Sequence, residues 1–314
     1  MLHINVAILD PAKKLSGELG KKGSETDFTI YNFKKGDSVL SLYEPTLYPE
    51  KLQPLLYCLN LCDMAILVVR SIDKFLGEQI IALDLLGIPG YLILDGVSQE
   101  ELAPLIKGTH LEKYQTLEYE PIALREKLLT TQFTRADSPL KILIDRCFAV
   151  KSVGTVALGV IKKGVVKVHD ELSVFPGGKN VSVKSLQVQD EDVKQADSGS
   201  RVGLCFKGAE VDDIPKGCFL SSSNGLTSAT KFKCHVSISK FFKGGIAEGA
   251  KFMACIGLQF VPATVHTSTP IPAGGKGEIE IELEKPAGFE AGEKLLLARP
   301  EAGLRVAGVA SVKH

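Results

Sequence analysis

Three residues in the first part of the chain have side chains that could contact an anionic nucleotide. Lys13 and Lys14 follow the first apolar run, 4–9, and fall on a predicted first helical turn. Free backbone N–H groups and the helix dipole favour an anion there, and a lysine would add its own charge. Asp95 follows a later apolar run, 90–94, where a carboxylate could accept hydrogen bonds from a guanine edge. The alternatives are two solvated lysines and an aspartate that closes a turn or caps a helix.

Outside this group the sequence predicts no catalytic residue and no metal site. The histidines show no pairing with a serine, cysteine or carboxylate that would indicate an acid–base dyad: His3, His110, His169, His235, His266 and His314. The seven cysteines are odd in number and lie mostly in apolar runs, which is typical of reduced thiols in a cytosol. Cys58 and Cys62 share one face of a predicted helix, but no His or Cys pair at zinc spacing accompanies them, so they are interpreted as core residues.

The overall charge excludes some classes of function. Lys plus Arg and Asp plus Glu each number 37 among 314 residues, so the molecule as a whole has no strong field. DNA is therefore not an expected partner, although a local basic face is compatible with zero net charge. No apolar stretch reaches the roughly 18–20 residues of a membrane span, and the N-terminus begins directly with a β-like run. We expect a cytoplasmic protein without a membrane partner.

The first segment, 1–130, alternates strand and helix patterns. Continuous apolar strands separated by helices predict an α/β domain with a parallel sheet covered on both faces. The segment 17–24 contains three glycines but does not directly follow the first strand, so it is interpreted as a connecting loop. The predicted strands are 4–9, 38–42, 64–69 and 90–94, and the predicted helices are 50–62 and 75–86.

The rest of the chain has an all-β pattern. After a polar connector, 132–139, short strands alternate with glycine-containing turns every eight to twelve residues, which is typical of a β-barrel or sandwich. A second polar turn, 221–228, separates two such stretches. We therefore predict an α/β domain followed by two small β-barrels, 138–222 and 229–314.

The second segment resembles the second domain of the translational GTPases. Residues 144–159 read IDRCFAVKSVGTVALG, and the remaining matching motifs follow in the expected order: Lys163-Gly164, GSRVG at 199–203, Lys207-Gly208 and DIPKG at 213–217. The last segment is similar to the third domain of the same family, especially of the selenocysteine-specific elongation factor SelB, through SKFFK at 239–243 and GLQFVPATV at 257–265. The resemblance implies that the three domains bind aminoacyl-tRNA, with GTP on domain 1 controlling delivery to the ribosome.

Domain 1 departs from the motifs that this family uses for GTP. A glycine-rich phosphate loop ending in Gly-Lys-Ser/Thr is expected after the first strand, but residues 9–16 contain no glycine, and Pro11 lacks an N–H. The Asp-x-Pro-Gly-His pattern of the second switch is replaced by 43–47, and the guanine-reading Asn-Lys-x-Asp by 95–98. Thr29 is either the switch threonine or a strand residue. We expect GTP hydrolysis to be lost, while binding of GTP or GDP, with Mg²⁺ only alongside the nucleotide, stays open.

The resemblance also assigns residues to the tRNA. The apolar contacts to the terminal adenosine fall on Val150, Val156 and Cys205. Gln187 replaces an acidic residue and Ser152 a glycine. Backbone phosphates would contact four lysines: Lys207, Lys216, Lys240 and Lys243. The competing interpretations are that Val156 belongs to the barrel core and that the lysines are only solvated.

These observations favour a non-hydrolysing factor that binds an aminoacyl-tRNA, with the ribosome as a further candidate partner. Two other functions are compatible with the same sequence. One is a protein-interaction module built on a pseudo-GTPase domain. The other is a weak GTPase that uses displaced motifs.

Overall fold

The computed structural model describes residues 1–135, 139–222 and 226–313 and arranges them as one α/β domain and two β-barrels. Residues 136–138 and 223–225, which belong to the two predicted connectors, and His314 lie outside the described residues. Within the described ranges, no helix is long and apolar enough to cross a membrane.

Domain 1 is a seven-stranded sheet in the order β2-β3-β4-β1-β5-β6-β7, with β4, β1, β5, β6 and β7 parallel and β2 and β3 antiparallel. The strands are β1 Leu2–Leu9, β2 Lys21–Glu25, β3 Thr29–Lys35, β4 Ser38–Glu44, β5 Met64–Val69, β6 Gly90–Leu94 and β7 Gln115–Leu117. The helices are α1 Leu15–Leu19, α2 Gln53–Leu61, α3 Lys74–Leu86, α4 Gln99–Ile106 and α5 Pro121–Leu129. The predicted parallel sheet is confirmed, extended by an antiparallel hairpin at one edge.

The central strand β1 shows why both faces of the sheet need covering. Ala7 and Leu9 pack into one apolar cluster, whereas Val6 and Ile8 pack into another on the opposite face. The helices that cover these faces have clear end signals. Asp73 accepts hydrogen bonds from the first turn of α3, and Gly87, at φ 68°, ends that helix in the left-handed conformation that glycine favours.

One local prediction is wrong. The segment 17–24 is not a connecting loop, because it contains the end of α1 and most of the edge strand β2. The reason is that Leu15 and Leu19, four residues apart, are both fully buried under the sheet. Thr29 is the first residue of β3, which confirms the strand interpretation. Helix α2 begins three residues later than predicted.

Domain 2 is a closed six-stranded barrel in which β11-β16-β8-β9-β15-β12 pair in order and β12 returns to β11. Strand β13 extends this sheet, and β10 pairs with β14 as a separate ribbon. The strands are β8 Lys141–Val150, β9 Gly154–Lys163, β10 Val165–Lys167, β11 Glu171–Phe175, β12 Asn180–Val188, β13 Glu191–Val193, β14 Gln195–Asp197, β15 Arg201–Lys207 and β16 Phe219–Ser221.

Domain 3 is a second closed barrel in the order β17-β20-β19-β18-β21-β22, so both predicted barrels are confirmed. Its first strand begins at Leu226, inside the predicted polar turn. The strands are β17 Leu226–Ile238, β18 Ala250–Ile256, β19 Gln259–His266, β20 Lys276–Glu290, β21 Lys294–Ala298 and β22 Val306–Val312.

Charged side chains buried between the domains hold the three units together. Lys141 of domain 2 is 4% exposed, and its ammonium lies 2.6 Å from Glu293 and 3.3 Å from Glu290 of domain 3. Between domains 1 and 2, Lys162 donates to the carbonyls of Leu61 and Cys62 at 2.9 and 3.0 Å, at the carboxyl end of α2. A cation there also complements the helix dipole.

The contact between domains 1 and 3 centres on Glu78, which is 1% exposed on α3. Arg305, just before β22, places Nε 2.8 Å from Oε1 and Nη2 2.6 Å from Oε2 of Glu78. It also donates to the carbonyl of Pro49 at 2.9 Å, and the Tyr48 hydroxyl donates to Glu78 at 3.2 Å. Domain 3 therefore supplies the positive charge that a buried carboxylate of domain 1 requires.

Arg305→Met should loosen domain 3 from domain 1. The change leaves Glu78 buried without its cation, at a cost of about 3–5 kcal/mol. We expect a lower melting temperature and a larger radius of gyration in X-ray scattering.

Arg299→Met is the matched control, because this guanidinium lies over the rings of Phe252 and Phe242 but forms no ion pair among the described residues. It should cost only about 1 kcal/mol. Equal effects of the two substitutions would show that Glu78 does not hold the domains together.

Candidate functional site

The turn between β1 and α1, where a phosphate loop is expected, is organised around a carboxylate. Asp10 is 5% exposed. Its Oδ1 accepts the N–H of Ala12 at 3.0 Å, and its Oδ2 accepts those of Lys14 at 3.0 Å and Leu15 at 3.1 Å. Lys13 adopts φ 53°, a left-handed conformation more usual for glycine. The backbone donors of this turn thus converge on an anion, and that anion belongs to the protein.

Arg70 belongs to this site in addition to the three residues predicted to contact a nucleotide. It was not predicted from the sequence. It follows β5 directly, and its Nε lies 3.0 Å from Oδ1 of Asp10 while its Nη1 pairs with Asp95. The available signal was its position at the carboxyl end of a parallel strand. Asp95 therefore lies at the same sheet edge as the turn between β1 and α1. Its carboxylate is already engaged in an ion pair with Arg70.

The two lysines of this site do not point at a common anion. The ammonium of Lys13 donates to the carbonyl of Thr46 at 2.6 Å, in the segment that replaces the second switch. Lys14 is exposed and provides its backbone N–H, rather than its charge, to Asp10.

A cleft of 330 Å³ lies beside Asp10 at the carboxyl ends of β1, β4 and β5. Glu44, 3% exposed, lines it, and no described residue forms a hydrogen bond with its Oε2. Burial raises the pKa of Glu44, and the charge of Asp10 acts in the same direction. Glu50 and Asp73 add further carboxylates to the lining. This lining disfavours a bound polyphosphate, because it is rich in carboxylates and two of its cations are already engaged. Arg70 pairs with Asp10 and Asp95, and Lys13 donates to the carbonyl of Thr46.

A second site lies on the outer face of the domain 2 barrel. Phe148, Val156 and Cys205 are direct cross-strand partners on β8, β9 and β15. Val156 is half-buried and lies outside the barrel core, whereas the next residue, Ala157, is fully buried within it. The barrel-core interpretation of Val156 is therefore wrong, because strand alternation turns it outward.

The neighbouring cross-strand row completes this outer face. Gln187 on β12 is opposite Gly203 on β15, which is opposite Leu158 on β9. A Cβ added to Gly203 would meet Leu158 at 3.5 Å and Gln187 at 3.9 Å, so the glycine leaves a shallow recess between them. The Gln187 amide is exposed and donates to Asp192 at 2.9 Å.

The turn from β8 to β9 borders the same face. It begins after the half-buried Val150 and contains Ser152, exposed at φ 67°, and Val153, which is 43% exposed. The Cys205 thiol lies 3.6 Å from the carbonyl of Val153. All five residues assigned to the terminal adenosine thus lie on or beside one outward surface, which we call the domain 2 face: Val150, Ser152, Val156, Gln187 and Cys205.

The four lysines assigned to the tRNA backbone are distributed over two domains. Lys207 ends β15 and is exposed. Lys216 already forms an ion pair with Asp27 of domain 1 at 2.6 Å. Lys240 and Lys243 belong to the loop after β17, where the Lys240 ammonium lies 5.0 Å from the ring centroid of Phe241, an aromatic side chain that is 41% exposed.

A larger cleft, of 850 Å³, opens where the three domains meet. Its walls include Tyr57 from α2, Phe175 and Lys216 from domain 2, and Phe260 and Lys285 from domain 3. Sequence reasoning could not have found this cleft, because segments far apart in sequence form it only after the domains dock. Among the described residues no cluster of three or more His, Cys, Asp or Glu side chains is arranged to hold a metal ion.

Comparisons with known proteins agree with this architecture. Residues 154–221 match elongation factor Tu domain 2. An uncharacterized protein of Methanocaldococcus jannaschii is 35% identical, covering 98% of this chain and 99% of the relative. The selenocysteine-specific elongation factor of the same organism is 29% identical over 94% of this chain and 72% of the factor. SelB from Methanococcus maripaludis, solved with the GTP analogue GppNHp, has a TM-score of 0.85 at 24% identity, covering 100% of this chain and 79% of that one.

The fold is that of a three-domain translation factor. The chain belongs to the elongation factor Tu/SelB-like family of translational GTPases.

Val156→Asp should leave the domain 2 barrel folded. The new carboxylate would lie on the solvent side of β9, so the expected cost is on the order of 1 kcal/mol from lost strand propensity and packing. Thermal unfolding followed by circular dichroism measures the change.

Ala157→Asp, one residue along the same strand, is the contrasting variant. It places an unpaired carboxylate in the barrel core and should cost about 3 kcal/mol or more. Similar destabilisation by both substitutions would contradict the outward orientation of Val156.

Proposed function

We propose that this protein binds the acceptor end of an aminoacyl-tRNA on the domain 2 face and acts as a translation factor that does not hydrolyse GTP. The observation that carries the proposal is the outward apolar surface formed by the half-buried side chains of Val156 and its cross-strand partner Phe148, with the buried Cys205 as the partner of Val156 on the other side. A barrel does not need these side chains for its own core, so the surface is free to pack against a ligand.

The chemistry of this surface suits an unpaired adenine. The flat apolar wall of Val150 and Val156 can cover one ring face. The recess at Gly203 lets a base approach the backbone closely. Gln187 offers both a donor and an acceptor to the polar edge of the base.

Lysines at the edges of domains 2 and 3 would contact the RNA backbone. Lys207 and Lys243 form no ion pair within the described residues, so their charges are available to phosphates. Lys216 would have to leave Asp27 or share its charge, whereas Lys240 already lies beside exposed Phe241, on which a base could stack. The ribosome is a candidate partner of the resulting complex.

The polar groups of domain 1 support the loss of GTP hydrolysis. Residues 43–47 provide no histidine to position water, and Asp10 takes the backbone N–H groups that would hold phosphate. Binding of GTP or GDP, with any Mg²⁺, would require Asp10 to move away. We therefore propose that the factor holds its domains without guanine nucleotide.

GTP turnover by the purified protein should not exceed the background in buffer. The two cations that line the cleft are already engaged, Lys13 by the carbonyl of Thr46 and Arg70 by Asp10 and Asp95, and residues 43–47 contain no histidine to position water, so charge developing on a γ-phosphate would be poorly neutralised. Phosphate release measured over a range of protein concentrations tests this expectation. A rate that scales with protein and disappears in a Lys13→Ala/Lys14→Ala variant would establish instead a GTPase with displaced motifs.

Val156→Asp should abolish tRNA binding while the protein stays folded. An adenine packed on this wall would bury the new carboxylate without a partner, next to an anionic ligand, which corresponds to a loss of about 100-fold or more in affinity. Gln187→Ala removes a single hydrogen bond and should cost on the order of 1 kcal/mol, or about fivefold. Gel shifts with charged and uncharged tRNA at low and moderate salt measure both effects.

Val165→Asp is the matched control. This valine is 39% exposed on the separate β10–β14 ribbon, away from the domain 2 face, so the same change of charge should leave binding unaltered. If the parent binds no tRNA at low salt, or if folded Val156→Asp binds like the parent, the tRNA proposal fails and a protein-interaction role replaces it.

A further inference from the structure

We infer that Asp10 is a built-in substitute for a bound phosphate, which keeps the nucleotide site of domain 1 filled and its surroundings ordered without any ligand. This inference rests on the contacts of Asp10 in domain 1 and does not depend on the tRNA proposal.

The contacts of Asp10 are those expected of an anion in a phosphate loop. Backbone N–H groups of Ala12, Lys14 and Leu15 point at its two oxygens at 3.0–3.1 Å. The same kind of convergent N–H groups after a first strand bind phosphate in nucleotide-binding proteins. The left-handed conformation of Lys13 lies within the turn, although the residue carries a full side chain. The chain thus keeps the shape of an anion-binding turn and provides the anion itself.

Arg70 supplies the cation that pairs with this internal anion. Its guanidinium pairs with Asp10 at 3.0 Å and also with Asp95, at the end of β6 where a base would be read. Burial alone would raise the pKa of Asp10, but the hydrogen bonds from Arg70 and the backbone lower it overall, so the carboxylate is charged at neutral pH. Two ion pairs that share Arg70 therefore connect the phosphate turn with the base-reading position.

The filled site is connected to the contact between domains 1 and 3. Lys13 donates to the carbonyl of Thr46, two residues before Tyr48. The Tyr48 hydroxyl donates to Glu78, which Arg305 of domain 3 neutralises. The hydrogen bonds at Thr46 and Tyr48, joined by the short backbone step between these two residues, thus connect the Asp10 turn with the Glu78–Arg305 contact. In this protein, no nucleotide is needed to order that segment.

The test is whether removing Asp10 creates a requirement for an external anion. Inorganic pyrophosphate is the probe, at millimolar concentration, with ionic strength held constant by chloride. Asp10→Ala should lower the melting temperature by about 5 °C, because three backbone donors and Arg70 lose their partner. Pyrophosphate should restore at least half of that loss, whereas the wild-type protein should not respond.

Asp84→Ala is the matched control. Asp84, on α3, also accepts a backbone N–H group, from His110 at 2.7 Å, but it does not line the cleft beside Asp10. Its loss should lower the melting temperature without any rescue by pyrophosphate. If Asp10→Ala does not fold, Asp10→Ser, which keeps one oxygen as an acceptor, should show the same pyrophosphate response.

Two results would overturn the inference. One is a wild-type protein that pyrophosphate or GDP stabilises as strongly as it stabilises the Asp10 variant, because the site would then be open. The other is an Asp10 variant with no loss of stability, or with a loss that pyrophosphate does not reduce in either substitution.

Discussion

The closed arrangement of this protein depends on a carboxylate that its own domain does not neutralise. Glu78 is almost completely buried on α3, and the guanidinium that pairs with it comes from domain 3. A buried carboxylate without a cation is strongly unfavourable, so domain 1 has its stable form only with domain 3 docked. The pairing of Lys141 with Glu290 and Glu293 imposes the same condition on domains 2 and 3. Long-range charge pairing thus supplements the apolar contacts that hold the three units together.

This constraint gives the two candidate sites opposite characters. In domain 1, the backbone donors of the turn and Arg70 are paired with Asp10 and Asp95 rather than with a ligand. In domain 2, apolar side chains lie on the outer face of the barrel and remain partly exposed to solvent. A binding surface needs groups that are free to contact a ligand, as on domain 2, rather than groups that are already paired with each other, as in domain 1. The binding surface that we propose is therefore the domain 2 face.

The sequence was sufficient for the architecture, but not for the full set of residues at the candidate sites or for their geometry. Apolar runs and regularly spaced glycine turns predict the α/β domain and both barrels, because these patterns report directly on burial and chain reversal. Whether Val156 faces the barrel core or the solvent depends on the register of β9, and the identity of this one residue does not determine that register. The sequence does not indicate a role for Arg70, because nothing in the residues around it along the chain shows that it contacts Asp10 and Asp95. The sequence does not predict the edge strand β2, because its residues are mostly exposed and polar. Only its pairing with β3 identifies it as a strand.

The separation of Glu78 from Arg305 along the chain also has a consequence for biosynthesis. The two residues are 227 positions apart, so domain 1 leaves the ribosome long before its cation has been made. At translation rates of 5–20 residues per second, Glu78 waits roughly 10 to 45 s for Arg305. During that interval the carboxylate must stay hydrated, which keeps this side of α3 from its final packing. The nascent chain therefore completes domain 1 only when its last barrel strand emerges.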